Sequence, residues 1–371
     1  VPFIMANNLV NGKVDYANCA FITETQASTL RKGFAKPGDV LLTHKATIGR
    51  TAIVDDEYET IILTPQVTYY RVKKGISNRY LKYYFDSSVF QKLFSNWAGA
   101  GSTRAYLGIT AQRKLPIVLP PYDVQLKIAK CCGALDDKIY HNQQINDNLE
   151  QQAQSYFQEL FVDNADPEWT TGSISDLGVV VGGSTPSKAK PEYYTESGIA
   201  WITPKDLSIN KSKFISHGEN DITELGLKNS SATIMPEGTV LFSSRAPIGY
   251  IAIAAGEVTT NQGFKSVVPK PEIGTPFVYF FLKHNLPIMA SGSTFKEVSG
   301  STMKNIPAVI PDADTLGRFN DFCAPIFAQQ RILEEECQSL AALRDNLLPK
   351  LMSGEIDVSE ERACCCKLSF N

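Results

Sequence analysis

The sequence predicts a mixed α/β (α+β) protein in which two repeated globular domains alternate with two long helices that form an antiparallel coiled coil. Three observations predict it: two stretches with apolar residues in steps of three and four, sequence blocks that occur twice, and short β-rich runs between Gly and Pro. We divide the chain into domains 1–121 and 165–311, a central helix 122–164, a distal helix 312–356 and a tail 357–371.

The central helix is predicted over Asp123–Phe161. Pro120 and Pro121 precede it and Pro167 follows it, which favours an end on each side. At about 1.5 Å per residue, roughly 39 residues would form a rod about 58 Å long. Its apolar seam, of the kind that packs against another helix, consists of Ile128, Cys132, Leu135, Ile139, Leu149, Ala153, Tyr156 and Leu160.

The distal helix is predicted from Leu316 to Leu348, with its end set by Pro349. Asn142 and Gln330 are polar residues on the two seams. Each is either a buried amide that fixes the register of the helix pair or a position that is exposed to water. The apolar seam of this helix consists of Leu316, Phe319, Cys323, Ile326, Leu333, Cys337, Leu340 and Leu347.

Self-comparison indicates a duplication, because matching blocks follow one another in the same order with a slowly changing offset. The first domain has no counterpart of Glu168–Gly198, so we expect either that it is cut short on its N-terminal side or that this is a naturally shortened form. The matching blocks are 3–4 with 201–202, 8–9 with 206–207, 37–49 with 237–249, 101–103 with 292–294, and 115–120 with 306–311.

Within the domains, β-rich runs and aromatic helices are predicted. The aromatic runs Tyr80–Phe85 and Pro276–Leu282 are predicted to be short helices whose rings belong to the core rather than to a base-stacking surface. The predicted strands are Val40–Leu42, Ala52–Val54, Gln66–Tyr70, Val240–Phe242 and Ile251–Ile253.

Charge is distributed unevenly along the chain. Residues 1–121 carry 15 Lys and Arg against 8 Asp and Glu, whereas residues 122–164 carry 3 against 7. A polyanion would therefore meet the globular segments rather than the helices. Because there is no signal peptide, no apolar run of bilayer length and no CxxC pair among the eight cysteines, we expect a cytoplasmic protein without a metal site.

The motifs that catalysis would need are not found in the sequence. Leu119 stands where the amino-methyltransferase motif (Asn/Asp)-Pro-Pro-(Tyr/Phe) has an amine acceptor, and Gly33–Gly38 is not followed by the Lys and Ser or Thr of a phosphate loop. We therefore expect no catalytic residue and no cofactor in this chain.

Repeat-equivalent loop residues are the strongest candidates for DNA contacts, because hydroxyl, amide and cationic side chains read phosphates and base edges. The alternative interpretation is that the charged residues among them are solvated side chains of turns. The weaker candidates, expected to contact phosphate or to lie on the surface, are Arg71, Lys73, Lys74, Lys205, Lys211 and Lys213. The predicted DNA-binding set is Thr43, His44, Lys45, Thr103, Arg104, Lys205, Ser243, Ser244, Arg245, Thr294 and Lys296.

Several blocks resemble the specificity subunit of Type I restriction–modification systems. Gly182–Ser187 with Trp201 resembles the opening of a target recognition domain, and Gly108–Thr110 resembles its close. Ala134–Ile139 resembles the central conserved helix of that family, and Leu343–Ile356 resembles the distal one. The likeness extends over nearly the whole chain.

The resemblance implies a non-catalytic subunit that recognises a bipartite, asymmetric double-stranded DNA target, with one recognition domain for each half-site. It also implies that two methyltransferase subunits dock on the helices and use S-adenosylmethionine, and that an ATP-dependent, Mg-using restriction subunit joins them. The helices would then be a ruler, so that inserted turns lengthen the spacer between the half-sites. The alternatives are a coiled-coil scaffold with paired protein- or glycan-binding domains, and a self-sufficient methyltransferase.

Overall fold

The computed structural model describes residues 1–99, 105–245, 247–291 and 298–358. These residues form two compact units. Unit 1 comprises Val1–Tyr140 together with Gln338–Asn371, and unit 2 comprises His141–Cys337.

Unit 1 has two small sheets and a two-stranded ribbon. Its strands are β1 (Pro2–Ile4), β2 (Leu9–Val10), β3 (Lys13–Val14), β4 (Ala20–Phe21), β5 (Phe34–Ala35), β6 (Val40–Lys45), β7 (Thr47–Ile53), β8 (Ile61–Leu63) and β9 (Val67–Tyr70). The order of the strands is β4-β1-β8-β5 in one sheet and β7-β6-β9 in the other, and β2 pairs with β3 in the ribbon.

The helices of unit 1 lie after these strands, apart from the short α1. They are α1 (Glu24–Thr29), α2 (Asn78–Asp86), α3 (Ser88–Trp97), α4 (Ile109–Gln112), the part of α5 (Tyr122–Gln158) that ends at Tyr140, and the part of the last helix, α11 (Ala313–Ser353), that begins at Gln338. Ser77 caps α2 by accepting a hydrogen bond from the amide of Tyr80, which helps to explain why the aromatic run begins a helix there. The aromatic side chains of α2 are buried, as predicted.

Unit 2 repeats this plan with more strands. Its strands are β10 (Thr170–Ser173), β11 (Gly178–Gly182), β12 (Tyr194–Thr195), β13 (Ile199–Ile202), β14 (Phe214–Ile215), β15 (Asn220–Ile222), β16 (Val240–Phe242), β17 (Ile251–Ala254), β18 (Thr259–Thr260), β19 (Lys265–Pro269) and β20 (Pro307–Ile310). Its helices, besides the rest of α5, are α6 (Ile174–Leu177), α7 (Pro204–Ile209), α8 (Glu224–Lys228), α9 (Thr275–Ser291), α10 (Gly300–Lys304) and α11 (Ala313–Ser353) up to Cys337.

The duplication is visible in the pairing of the strands. In unit 1, β1 pairs in parallel with β8; in unit 2, β13 pairs in parallel with β18. The antiparallel hairpin β6–β7 corresponds to the antiparallel hairpin β16–β17. β9 corresponds to β19, because β9 pairs antiparallel with β6 and β19 pairs antiparallel with β16. The sheet β11-β19-β16-β17-β14 of unit 2 is therefore a longer version of β7-β6-β9 in unit 1.

The long helices pair antiparallel, as predicted. In unit 2, Asn142 contacts Glu336 whereas Tyr156, further along α5, packs against Phe322, earlier in α11. In unit 1, Asp136 contacts Arg344. Contacts that move backward on α11 as they move forward on α5 define an antiparallel pair.

The distal helix does not end at Pro349, where the seam pattern predicted its end, but within the span 312–356 of the domain division. α11 continues through Pro349 to Ser353, and Gly354, at φ +76°, ends it. A proline removes one amide donor from the helix ladder but does not prevent the preceding and following turns from packing. Leu348 and Leu351, on either side of Pro349, are buried in the core of unit 1, and this burial favours the helical path.

The two adjacent cysteines of α5 are in different states. Cys132 is buried and free, but its neighbour Cys131 is disulfide-bonded. Adjacent helix positions point about 100° apart, so Cys132 faces the core whereas Cys131 is only partly buried beside it. Across the residues that the structure describes, no helix is both long enough and apolar enough to cross a bilayer.

Candidate nucleic-acid interface

The two repeat-equivalent hairpins have the same register. Val40 lies opposite Ile53 in β6–β7, and Val240 lies opposite Ile253 in β16–β17. In unit 1 the hairpin turns at Ala46, whose φ of +64° is a conformation that side chains other than glycine rarely adopt. Both hairpins bring the predicted contact residues to the end of their first strand.

Thr43 and Ser243 have the same role in the two hairpins. The Oγ1 of Thr43 accepts a hydrogen bond from the amide of Arg50 at 2.9 Å, and the Oγ of Ser243 accepts one from the amide of Tyr250 at 2.8 Å. In both cases the donor lies seven residues further on, and both hydroxyls are fully buried. The shared hydroxyl chemistry of the repeat therefore closes the hairpin rather than facing solvent.

His44 and Ser244 are buried as well. The Nδ1 of His44 lies 3.1 Å from the carbonyl oxygen of Leu107, and Ser244 Oγ donates to the carbonyl of Gly263 at 3.1 Å. Burial lowers the pKa of His44 even though the Leu107 carbonyl opposes the shift, so the ring is neutral at neutral pH. None of these hydroxyl and imidazole side chains is exposed to solvent. Of the six predicted hairpin residues, Lys45 and Arg245 therefore remain as candidates for contacts with DNA.

Lys45 and Arg245 follow these buried pairs directly and are exposed. The backbone of Lys45 is held by a bridge to Tyr106, whose own side chain is largely exposed. Each unit thus carries a cationic side chain at the same position of the same hairpin. Lys presents a compact charge, whereas Arg presents a planar fork that can bind a guanine edge or a phosphate through two hydrogen bonds.

The remaining predicted cations differ in exposure. Lys205, in the first turn of α7, is exposed and its Nζ lies 2.5 Å from Glu219 Oε2; this hydrogen bond raises the Lys205 pKa. Arg71 is half-exposed and donates two hydrogen bonds to Asp39. Lys213 is buried, so its interpretation as a surface or phosphate-contacting residue is wrong. Thr103, Arg104, Thr294 and Lys296 lie outside the described residues.

Two buried charge clusters fasten the predicted domains to the long helices, and sequence reasoning missed both. We name them by their central carboxylates. In the Asp136 cluster of unit 1, Asp136 accepts hydrogen bonds from Lys82 Nζ at 3.1 Å, Tyr83 OH at 2.7 Å and Arg344 Nη1 at 2.7 Å. Lys82 also pairs with Asp86 at 2.9 Å.

In the Glu150 cluster of unit 2, Glu150 binds two lysines, Lys213 at 2.5 Å and Lys283 at 2.6 Å. It also accepts a hydrogen bond from Tyr279 OH at 3.2 Å. Gln330, on the seam of α11, accepts from Lys213 Nζ at 2.8 Å and is 3% exposed. This settles the question of the two seam amides: Gln330 and Asn142 are both buried, and the water-exposed interpretation is wrong.

The sequence contained one signal for these clusters, namely the position of their central carboxylates on α5. Asp136 follows the seam residue Cys132 by four positions, and Glu150 follows the buried Asn142 by eight, so both fall on or beside the packed face of α5. A carboxylate at such a position needs a cationic partner, because an unpaired buried charge is costly. Its partners could not be found without the tertiary fold.

The described residues contain no group of three or more His, Cys, Asp or Glu side chains arranged to hold a metal ion. What the arrangement offers chemically is one exposed cation on the equivalent hairpin of each unit. Such cations bind phosphates or the acceptor edges of bases.

Comparison with known proteins identifies the same duplication. The family profile described as "Type I restriction modification DNA specificity domain" matches residues 2–151 and again residues 167–334. The specificity subunit of the Type I restriction enzyme MjaIX from Methanocaldococcus jannaschii is 40% identical over 191 residues, which cover 48% of this chain and 44% of that protein.

Other relatives are matched over more of their length. The specificity subunit of HindI from Haemophilus influenzae is 24% identical, with 96% of this chain and 94% of that protein covered. The crystal structure of the Type I S subunit from M. genitalium has a TM-score of 0.53 and 16% identity, over 86% of this chain and 84% of that one, and shows the same fold. These matches do not support the scaffold alternative.

Proposed function

Because the chain belongs to the Type I restriction–modification DNA specificity family, and carries two of its domains, we propose that it selects a bipartite, asymmetric DNA target. Each domain reads one half-site. The chain itself is non-catalytic: methyltransferase subunits supply S-adenosylmethionine chemistry, and a restriction subunit uses ATP and Mg. The long helices act as a spacer and as the docking surface for the methyltransferase subunits. The cytoplasmic location stays a prediction.

One observation carries this proposal for the chain's own residues. In both hairpins a buried hydroxyl accepts a hydrogen bond from the amide seven residues further on, and the residue two positions after that hydroxyl is an exposed cation whose identity differs between the units. A shared frame with a varied contact residue is what two domains reading two different half-sites need. Lys45 and Arg245 are the proposed contacts.

The first test is selection of binding sites from random duplex DNA by the chain assembled with its methyltransferase subunits. We expect enrichment of two short half-sites separated by a spacer of constant length. Affinity should fall steeply with salt, since phosphate contacts release counterions. Enrichment of a single continuous site, or of none, would contradict the proposal.

The second test assigns the two cations to their half-sites. Arg245→Ala should relax base preference in one half-site and Lys45→Ala in the other, each by about 1–3 kcal/mol if the lost contact is to a base edge. Lys228→Ala is the matched control, since Lys228 is an exposed lysine of unit 2 that pairs only loosely with Glu224 at 3.7 Å. A uniform loss across all sequences would make the residue a phosphate contact instead.

A further inference from the structure

An exposed glutamine, Gln262, lies in the turn between β18 and β19 of unit 2. The backbone of this turn is hydrogen-bonded on both sides of that residue. The amide of Asn261 donates to the carbonyl of Ile202 in β13 at 3.0 Å. The carbonyl of Gly263 accepts from the amide of Ser244 at 2.8 Å. The Gln262 side chain is therefore exposed on a turn whose backbone is fastened to its neighbours.

The turn lies beside the hairpin that carries Arg245. An isolated antiparallel bridge joins Ser243 to Phe264, in the register of β16 and β19. Two residues further along, the same register brings Arg245 opposite Gln262. Residues directly opposite each other in an antiparallel pair lie close together on one face. Gln262 is thus a neighbour of the cation that we propose as the DNA contact of unit 2.

A threonine orients the amide of this glutamine. Thr185 lies in the segment 183–187 that follows β11, and its Oγ1 donates a hydrogen bond to Gln262 Oε1. This contact leaves one lone pair on Gln262 Oε1, and both hydrogens of Nε2 have no acceptor in the part of the chain that the structure describes. The outward side of the amide therefore offers a donor beside an acceptor.

Close packing holds the segment 183–187 against the turn. A Cβ added to Gly183 would clash with the carbonyl oxygen of Asn261, so only glycine fits at this crossing. The next residue, Ser184, is held through its carbonyl, which accepts a hydrogen bond from Trp201 Nε1 at 3.0 Å. The close approach at the glycine and the contact with the tryptophan together bring Thr185 to the turn.

We propose that Gln262 is a base-specificity residue of unit 2 and that it reads an adenine in the major groove. The assignment rests on the proposed function, because it takes unit 2 as the reader of one half-site. A donor beside an acceptor is complementary to adenine, whose N7 accepts and whose N6 amino group donates; guanine offers two acceptors, N7 and O6. Thr185 is a positioning residue, since it acts on the base through Gln262.

Unit 1 has a proline at the equivalent position. The parallel pairings of β1 with β8 and of β13 with β18 make Leu63 the counterpart of Thr260. Two residues further along each chain stand Pro65 and Gln262, both exposed. Because proline has no side-chain donor or acceptor, this adenine preference should belong to the half-site of unit 2 alone.

The first experiment selects binding sites from random duplex DNA with the unchanged chain and with Gln262→Ala, each assembled with the methyltransferase subunits. We expect Gln262→Ala to weaken the preference for adenine at one position of one half-site by about tenfold and to leave the other half-site unchanged. That position should lie beside the one that Arg245→Ala relaxes. The matched control is Asn229→Ala, an exposed amide of unit 2 that donates to the carbonyl of Leu225 in α8.

The second experiment tests the atoms of the contact. Replacing the selected adenine by 7-deazaadenine removes the N7 acceptor, so it should weaken binding of the unchanged chain about fivefold and cause no further loss in Gln262→Ala. Thr185→Val keeps the shape of the side chain but removes the donor, and it should reduce discrimination between adenine and guanine at that position. Thr185→Ser keeps the hydroxyl and should retain the discrimination.

Three results would overturn this assignment alone, with a bipartite site still selected by the unchanged chain. The first is the same site profile for Gln262→Ala and the unchanged chain. The second is relaxation at a G·C pair, which would make the base a different one. The third is a uniform loss of affinity across all sequences, which would make Gln262 a phosphate contact. If the unchanged chain selects no bipartite site, the proposed function fails and this assignment fails with it.

Discussion

The two charge clusters have the same plan but differ in how their charges are shared. Each has a carboxylate of α5 at its centre, a tyrosine hydroxyl and a lysine from an aromatic helix of its domain, and a polar partner from α11. In the Asp136 cluster each cation has a further carboxylate, since Lys82 also pairs with Asp86 and Arg344 with Asp345. In the described part of the chain, Lys213 and Lys283 both form their ion pairs with Glu150 alone.

This difference makes the attachment of the domain to its helices redundant in unit 1 but not in unit 2. Removing one carboxylate from a shared network leaves each cation a partner, whereas removing a single central carboxylate leaves two cations together. Lys213 is buried as deeply as Lys82, and its Nζ also lies 3.7 Å from the centroid of the Phe327 ring. Unit 2 should therefore depend more on its cluster than unit 1 does.

The largest effect is expected for Glu150→Gln. The change keeps the shape of the side chain but removes the carboxylate with which Lys213 and Lys283 both form ion pairs, so unit 2 should lose about 3–5 kcal/mol of unfolding free energy. Urea unfolding followed by a probe in unit 2 measures this loss. Asp147→Asn, an exposed carboxylate on the same helix, is the control, and adding Lys213→Met should restore part of the loss. If Glu150→Gln costs no more unfolding free energy than Asp147→Asn, the expected difference between the Glu150 and Asp136 clusters is wrong.

A smaller effect is expected for Asp136→Asn, about 1–3 kcal/mol, because both of its cations keep a carboxylate and Arg344 is partly open to solvent. Its neighbour Asp137 is half-exposed and lies 3.8 Å from Arg79, so Asp137→Asn is a matched control that should change little. The same urea experiment with a probe in unit 1 applies. If Asp136→Asn costs more than Glu150→Gln, redundancy is not what distinguishes the clusters.

The pH dependence gives a third comparison. Burial alone would raise the pKa of Asp136, but Lys82 and Arg344 outweigh it and lower the pKa below the ordinary 3.8. Burial likewise opposes Lys213 and Lys283 at Glu150, and the lysines again lower its pKa below 4.5. The unfolded chain binds these protons first as the pH falls, so the stabilisation is complete above about pH 4.5 and is lost below it.

The measurement is urea unfolding from pH 7 to pH 3. The free energy of unfolding should fall as the pH drops below about 4.5, and Glu150→Gln should flatten that fall for unit 2 while leaving it unchanged for unit 1. If the free energy of unfolding of unit 2 falls with the same slope against pH in the unchanged chain and in Glu150→Gln, other carboxylates cause the acid sensitivity.

The smallest effect concerns the helix seam. Asn142 is fully buried, and its Nδ2 donates to Glu336 Oε2 at 2.7 Å. A double-mutant cycle of Asn142→Ala with Glu336→Ala should give a coupling free energy of about 1 kcal/mol. Additive effects of the two changes would show that this hydrogen bond does not set the register of the helix pair.

Much of the architecture could be predicted because it is written in local periodicity and in repetition. The steps of three and four predicted α5 and α11, and the matching blocks predicted corresponding domains. Predictions failed where packing overrode a local rule. Pro349 stays inside α11 because leucines on both sides of it are buried.

The candidate interface shows the same division. The sequence alone identified the equivalent positions 43–45 and 243–245 and the types of side chain at them. Which of these side chains reach solvent is a property of the hairpin: Thr43, His44, Ser243 and Ser244 turn inward to satisfy backbone groups, and the cations after them do not.

By itself, the sequence determined the family, the duplication, the antiparallel helices and the positions that could contact DNA, because each depends on residue order and spacing. Only the tertiary structure decided that Lys213 is a buried partner of Glu150 and that Asp136 joins α2 to α11. These pairs lie 63 and up to 208 residues apart. Charges so far apart along the chain are brought together only by packing, and their burial then makes the pairing obligatory.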